Sequence, residues 1–177
     1  GGMAFQFFVG LLAMIATAEL IKMRRLAPNS IEGVLAMLAS LVLTLPLQNY
    51  LTFLPTDGNY TAYAIVVFLL LGATVFNIGR YNYSDVVFPI ASSFYVGIGF
   101  HSLVLARMDG LNKVFFALCL VWATDIGAYM IGRQFGRRKL LPKVSPNKTV
   151  EGFVGGILSA VVVAIIFLIV DKSLLAG

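Results

Sequence analysis

The sequence of 177 residues contains little charge. Asp, Glu, Lys and Arg make up only 12% of it, whereas hydrophobic residues make up 59%. Soluble globular domains have about 25% charged residues and about 45–50% apolar residues. A chain of this length still exposes much of its surface, so the excess of apolar side chains cannot all be buried inside the protein. The composition excludes a soluble globular domain and indicates a surface that faces lipid.

Cysteine is represented only by Cys119, which excludes a disulfide framework. Free cysteine is usually buried, and Cys119 lies in an apolar run, so we interpret it as a small packing residue. The sequence also shows no internal repeat, no low-complexity stretch and no soluble domain. We therefore predict that residues 1–177 form a single transmembrane helical domain.

Long apolar runs are the main feature of the sequence. A helix crosses the hydrocarbon core of a bilayer with about 20 mostly apolar residues. Charged residues, glycine and proline separate six such runs. We predict an all-α, polytopic integral membrane protein with about six transmembrane helices, at about 3–22, 33–54, 61–79, 86–106, 112–132 and 153–170.

The positive charge is concentrated in residues 133–152, which we call the basic segment. Six of the 13 Lys and Arg residues lie there: Arg133, Arg137, Arg138, Lys139, Lys143 and Lys148. Cytoplasmic loops of membrane proteins are enriched in Lys and Arg. The first and third loops are also basic and the second is not, so we predict a cytoplasmic basic segment and chain ends on the outer side.

Asp125 is an ionisable residue inside the predicted fifth span, which makes it a candidate functional residue. With Tyr129 and either Gly132 or Arg133 it follows an i, i+4, i+7 or i+8 spacing, so these residues share one helix face. The carboxylate could bind a divalent cation or act as a base. The alternative interpretation is a structural ion pair with Arg133 or Lys148.

Ser145 and Pro146 have the pattern of an N-cap and a first helical residue, so we predict that the sixth helix begins there. A helix N-terminus presents free N–H groups and favours phosphate. Lys148 and Thr149 would lie in the first turn and Glu151 on the next. We predict that this turn and Asp125 meet and bind a triphosphate, as nucleotidyl transfer requires. Alternatively, the basic segment only attracts anionic lipid.

Two further ionisable residues lie in predicted spans. Glu19 lies near the cytoplasmic end of the first span, where it could pair with Lys22 or Arg25. His101 is interpreted as a hydrogen-bonded packing residue. A transporter or channel that uses Asp125 and Glu19 as intramembrane ion sites is the alternative function.

Three blocks, in this order and spacing, resemble the bacterial phosphatidate cytidylyltransferase (CDP-diacylglycerol synthase) family. The resemblance is close over about 120–156, and Glu19-Leu20 is similar to an early pattern of the family. The blocks are Asp125-Ile126-Gly127-Ala128-Tyr129, Gly132-Arg133-Gln134-Phe135-Gly136, and Ser145-Pro146-Asn147-Lys148-Thr149-Val150-Glu151-Gly152.

The resemblance implies the reaction of CTP with phosphatidate to give CDP-diacylglycerol and pyrophosphate, with Mg²⁺, in the bacterial inner membrane. It implies catalytic roles for Asp125 and Lys148, with Asp125 also a metal ligand. It also implies that a larger set of residues contacts substrate or phosphate, namely Tyr129, Arg133, Ser145, Asn147, Thr149 and Glu151. We expect no nucleic-acid partner and leave a homodimer open.

The family's C-terminal signature, a K-D block followed by H-G-G and D-R-x-D motifs, has no match in this sequence. Its aspartates are the expected remaining metal ligands. We therefore expect these residues to be an internal portion of a longer enzyme, inactive when isolated.

Overall fold

The structure is a computed structural model that describes residues 2–50, 58–76 and 83–170. The elements in these ranges are nearly all helical. They are α1 (Gly2–Met23), α2 (Ile31–Thr44), a 3-10 turn (Leu47–Asn49), α3 (Gly58–Phe76), α4 (Tyr83–Asp109), α5 (Leu111–Phe135), strands β1 (Lys139–Leu141) and β2 (Ser145–Thr149), and α6 (Val150–Val170).

Four helices in the described ranges are long and apolar enough to cross a membrane, namely α1, α4, α5 and α6. The apolar helix α2 and the apolar part of α3, Gly58–Ala73, are shorter. This architecture confirms the predicted all-α, polytopic membrane protein, with one short β-hairpin added. Nothing in it tests the prediction of a single domain.

Four of the six predicted spans agree with helices to within three residues at both ends, as for 153 predicted against 150 observed, and the third agrees at its start, 61 predicted against 58 observed. The second does not. Helix α2 ends at Thr44 because Pro46 follows, and the residue before a proline is disfavoured in the α region. Leu45 is accordingly extended, with ψ of 137°. Residues 51–54 and 77–79 of the predicted spans, and Arg80 of the third loop, lie outside the described residues.

The chain comprises two compact units, Gly1–Met108 and Asp109–Gly177. In the first unit, Ala39, Leu43 and Tyr63 form a buried apolar cluster between α2 and α3. The Tyr63 hydroxyl also donates a 3.0 Å hydrogen bond to the carbonyl of Ile90 in α4. Side chains from successive helices therefore interlock in this unit.

Polar side chains in the first unit mostly bond to backbone, either one turn earlier in their own helix or at the end of another helix. Asn59 accepts from the Leu47 amide at 3.0 Å and donates to the Leu45 carbonyl, which closes the break after α2. His101 Nδ1 lies 3.1 Å from the Thr44 carbonyl, which confirms it as a hydrogen-bonded packing residue. Glu32 is the exception, because it is buried and both of its carboxylate oxygens lack a partner among the described residues.

The second unit consists of α5 and α6 joined by the β1–β2 hairpin. The strands pair antiparallel, with Leu141 opposite Ser145 and Lys139 opposite Thr149, and the register shifts between these pairs. Pro142 occupies the second position of the connecting turn, a favoured place for proline. The turn closes with a 3.1 Å hydrogen bond from the Val144 amide to the Leu141 carbonyl. The basic segment is thus largely an ordered hairpin.

Candidate functional site

Helices α5 and α6 approach each other through small residues. A Cβ placed on Gly152 would lie 2.7 Å from the Ala128 carbonyl oxygen and 3.0 Å from the Gly132 Cα. One turn deeper, a Cβ on Gly156 would lie 2.9 Å from the Thr124 carbonyl oxygen. Small residues allow backbones in a membrane to approach this closely. The contact holds the end of α5 beside the start of α6.

Helix α6 begins after Thr149, so the prediction that Ser145 and Pro146 start it is wrong. Ser145–Thr149 is strand β2. The Oγ1 of Thr149 accepts a 3.1 Å hydrogen bond from the Gly152 amide, which is the N-cap interaction. Thr149 is only 8% exposed, and its hydroxyl faces Gly132 of α5. The cap and its fit against α5 fix the start of the helix.

The start of α6 is also less open than predicted. The Val150 amide donates to the Arg138 carbonyl at 2.9 Å, and the Gly152 amide is engaged by Thr149. Two of the first three amides of the helix are therefore satisfied within the protein. The expectation of a row of free N–H groups for phosphate is not met.

Glu151 is held by the backbone of the basic segment. One carboxylate oxygen, Oε2, accepts from the amide of Arg137 at 3.0 Å and from the amide of Arg138 at 3.2 Å. The other oxygen, Oε1, lies 3.3 Å from the Arg138 amide. Glu151 is the only acidic residue between 132 and 152. Its contacts are thus with peptide groups rather than with basic side chains.

The basic side chains of this segment are exposed. The ion pairs found in the described part of the chain lie elsewhere, at Lys22–Glu19 and Lys113–Asp109. The Arg133 guanidinium makes a long contact, 3.5 Å, to the Tyr129 hydroxyl one turn earlier. Lys148 and Asn147 project from β2, and Ser145 is partly buried at its start. The hairpin therefore presents cations that make no salt bridge to a carboxylate within the described ranges.

Asp125 is exposed on α5 and has no hydrogen bond or ion pair with any described residue. The alternative of a structural ion pair with Arg133 or Lys148 is therefore wrong. Thr124, the neighbour of Asp125 on α5, packs against Gly156 of α6, whereas Thr149 packs against Gly132 of α5. Seven residues separate Asp125 from Gly132, which corresponds to about 10 Å along the helix axis. The predicted meeting of Asp125 with the start of α6 is not formed.

Metal ligands are sparse. The residues that the structure describes contain no group of three or more His, Cys, Asp and Glu that could hold a metal ion. Asp125 offers one carboxylate. The set of residues described here does not by itself fit a complete magnesium site.

Two features of this site were missed in the sequence, the hairpin and the contact of Glu151 with backbone amides. Thr149 with an acidic residue two positions later is itself a helix-start signal. Pro142-Lys143 between apolar and polar residues is a turn signal. Together they indicate a turn near 142 and a helix that starts at 150, but they do not specify the two strands.

These features define a class: a multi-helix membrane protein in which a cationic hairpin joins two closely packed helices. The sequence profile of the cytidylyltransferase family matches residues 1–176, and the chain belongs to that family. The family resemblance of the three sequence blocks is thereby confirmed.

Relatives of this chain include bacterial enzymes named phosphatidate cytidylyltransferase. The chain is 40% identical to that of Staphylococcus saprophyticus over 169 residues, which are 96% of this chain and 64% of the relative. It is 38% identical to that of Staphylococcus haemolyticus (95% and 64%) and 34% identical to that of Staphylococcus aureus (95% and 64%). The chain thus spans about 64% of the length of these relatives.

The alternative of a transporter receives no support. Glu19 pairs with Lys22 at 2.7 Å at the end of α1, and both side chains are largely exposed. This confirms the structural pairing predicted for Glu19. Neither the family nor the relatives point to transport.

Proposed function

We propose that the intact protein is a membrane-bound CTP:phosphatidate cytidylyltransferase. A phosphate oxygen of phosphatidate attacks the α-phosphorus of CTP, the bond from the α-phosphorus to the bridging oxygen breaks, and pyrophosphate leaves with CDP-diacylglycerol as the other product. Membership of the cytidylyltransferase family is the observation that carries this proposal. The names of relatives at 34–40% identity supply the substrate class.

The proposed site is the exposed surface of the basic segment, at the cytoplasmic face of a bacterial inner membrane. The orientation follows from the Lys and Arg content of the short loops. CTP and its triphosphate are available on that side. Exposed cations that lack a carboxylate partner are suited to bind a polyphosphate, because charge-assisted hydrogen bonds to phosphate are strong.

Roles within the site follow from position. Lys148 on β2 and Arg133 at the end of α5 would bind phosphate oxygens, and Lys148 would stabilise the charge that develops during transfer. Ser145 and Asn147, also on β2, would donate hydrogen bonds to the same substrate. Tyr129 would fix the Arg133 guanidinium through their 3.5 Å contact. Thr149 would support the site by capping α6.

On the family resemblance alone, Asp125 is proposed as the catalytic carboxylate and as one ligand of Mg²⁺, since it lies about 10 Å along α5 from Gly132, which packs against the start of α6. The carboxylate is exposed and uncommitted within the described ranges, so it is free to act on substrate or metal. The described ranges supply no cluster of further ligands for this metal ion. A homodimer stays a prediction.

The test compares two lysines of the same hairpin in the intact protein. Lys148→Ala and Lys143→Ala each remove one positive charge, but Lys143 lies in the turn between β1 and β2, whereas Lys148 directly precedes the cap of α6. We expect Lys148→Ala to lower CTP-dependent formation of CDP-diacylglycerol by about 100-fold or more, as for loss of one preorganised electrostatic contact. We expect Lys143→Ala to retain activity within about threefold, since a flexible surface charge contributes little.

Equal, small losses in both variants would support the alternative in which the segment only attracts anionic lipid. An intact wild-type protein that forms no CDP-diacylglycerol from CTP, phosphatidate and Mg²⁺ would overturn the proposal. Expression and membrane insertion of each variant, measured by detergent extraction and size-exclusion chromatography, control for misfolding.

A further inference from the structure

Glu151 lies in the first turn of α6, yet its carboxylate reaches out of the helix to the other side of the hairpin. It accepts hydrogen bonds from the amides of Arg137 and Arg138, 14 and 13 residues earlier in the chain. In return, the Arg138 carbonyl accepts from the Val150 amide at 2.9 Å. The peptide at 137–138 and the start of α6 are therefore joined in both directions.

Glu151 bonds to backbone amides although basic residues surround it in the sequence. Glu151 is the only acid in a stretch with six basic side chains, and a carboxylate in such surroundings ordinarily pairs with Lys or Arg. Within the described ranges it makes no ion pair with any of them. Because backbone amides take up its oxygens, the carboxylate ties down the hairpin without forming a salt bridge to a basic side chain.

The peptide at 137–138, which Glu151 holds, lies next to the end of α5. The tied peptide follows directly after Gly136, where α5 ends and the path to β1 begins. A Cβ on Gly136 would lie 2.8 Å from Thr149 Oγ1, so this corner packs against the cap of α6. Arg133 precedes the corner and Lys148 precedes the cap. Fixing the corner therefore fixes the two cations that are proposed to bind the triphosphate.

We infer that Glu151 is a positioning residue: its carboxylate clamps the amides of Arg137 and Arg138 and so holds the basic hairpin in the form that binds CTP. This inference assigns a role to Glu151 other than contact with phosphate or metal. Its functional part rests on the proposed cytidylyltransferase activity. Its structural part stands on hydrogen bonds alone.

Two substitutions separate the hydrogen bonds from the charge. Glu151→Gln keeps an oxygen that accepts from the amides but removes the negative charge, whereas Glu151→Ala removes both. We expect Glu151→Ala to raise the KM for CTP by about tenfold with kcat changed by less than about threefold, because binding geometry is lost before chemistry. Glu151→Gln should stay within about threefold of wild type in both parameters, since the acceptor remains.

Amide hydrogen exchange of the purified protein gives a readout independent of activity. In Glu151→Ala, the amides of Arg137 and Arg138 should exchange about tenfold faster or more, since local opening becomes easier. Asp109→Asn is the matched control. It removes one acid of the same unit that forms an exposed ion pair with Lys113, and it should change neither KM nor exchange at 137–138.

The inference is overturned if Glu151→Gln loses as much activity as Glu151→Ala, because the charge would then be what matters. It is also overturned if exchange at 137–138 is unchanged in Glu151→Ala. Absence of any CTP-dependent product with the wild-type protein would instead defeat the proposed function, and the exchange experiment would still decide the clamp.

Discussion

In the unit Gly1–Met108, polar side chains bond to the backbone of neighbouring helices, as Tyr63 does to Ile90 and His101 to Thr44. In the unit Asp109–Gly177, Lys113 at the start of α5 pairs with Asp109, but the basic side chains from Arg133 to Lys148 are exposed and make no salt bridge to a carboxylate in the described ranges. Burying a polar group is costly unless it is hydrogen-bonded, so the first pattern stabilises a helix bundle. The second leaves charges available for a ligand.

The two units also pack differently. The first buries side chains such as Leu43 and Tyr63 between helices. The second places glycine backbones against each other, at Gly132 and Gly152 for example. Direct backbone contact fixes the spacing of α5 and α6 with few side chains, so the remaining faces can carry polar groups. On the proposed function, the first unit would support the helix bundle and the second would contact substrate.

The largest effect that would sharpen this comparison is expected from Asp125→Asn. We expect activity of the intact protein to fall by about 100-fold or more, as for loss of a group that acts at the reacting centre. The unfolding temperature should not change, because the carboxylate is exposed and makes no hydrogen bond with described residues. Formation of labelled CDP-diacylglycerol and a thermal melt in detergent measure the two quantities.

Asp109→Asn serves as the reference for this change, since Asp109 begins the same unit but pairs only at the surface. Wild-type activity in Asp125→Asn would break the assignment of the catalytic carboxylate. A large fall in melting temperature would show instead that Asp125 is structural.

The next effect concerns the close contact of α5 and α6. Gly152→Val would place side-chain atoms against the Ala128 carbonyl and Gly132, where even a Cβ is too close. Overpacking of this kind costs about 2 kcal/mol, so we expect a lower melting temperature and loss of activity. Gly99→Val in α4 is the matched control, because a Cβ there meets nothing within 4 Å. Equal melting temperatures for the two variants would contradict backbone packing in the second unit.

The helices could largely be predicted from sequence, and the hairpin could not. Apolar runs of about 20 residues have one stable form in a bilayer, so 112–132 and 153–170 were placed to within three residues. The predicted span 33–54 is wrong because the apolar run continues past Pro46, whereas the helix does not. Pro46 disfavours the α conformation of Leu45 through a local steric clash. The end of a helix is therefore better predicted from the position of a proline than from the length of the apolar run.

The candidate site shows a different limit. The residues of the three blocks identified the family, but their contacts depend on where α6 begins. Ser145-Pro146 and Thr149-Val150-Glu151 are both helix-start signals, and the choice between them is made by tertiary contacts. Thr149 fits against Gly132, and Glu151 reaches the amides at 137–138. Sequence spacing alone carries no information about either contact.

Thr149→Val tests the true start of α6 with a smaller effect. Valine keeps the shape of threonine but cannot accept from the Gly152 amide, so we expect a loss of about 1 kcal/mol in stability. Thr149→Ser keeps the acceptor and should recover most of that loss. Chemical unfolding in detergent, followed by helical circular dichroism, measures both. Identical stability of the two variants would show that the hydroxyl does not cap the helix.

The smallest effect is expected from Tyr63→Phe in the first unit. The change removes the hydroxyl that donates to the Ile90 carbonyl at 3.0 Å and lies 3.3 Å from Ser93 Oγ. Hydrogen bonds between helices in membranes contribute about 0.6 kcal/mol on average, so the melting temperature should fall only slightly. The KM for CTP and kcat should both stay at wild-type values, because the first unit is assigned a supporting role. A change in either constant without a change in stability would mean that the first unit takes part in substrate binding. That result would contradict the proposal that only the second unit contacts substrate.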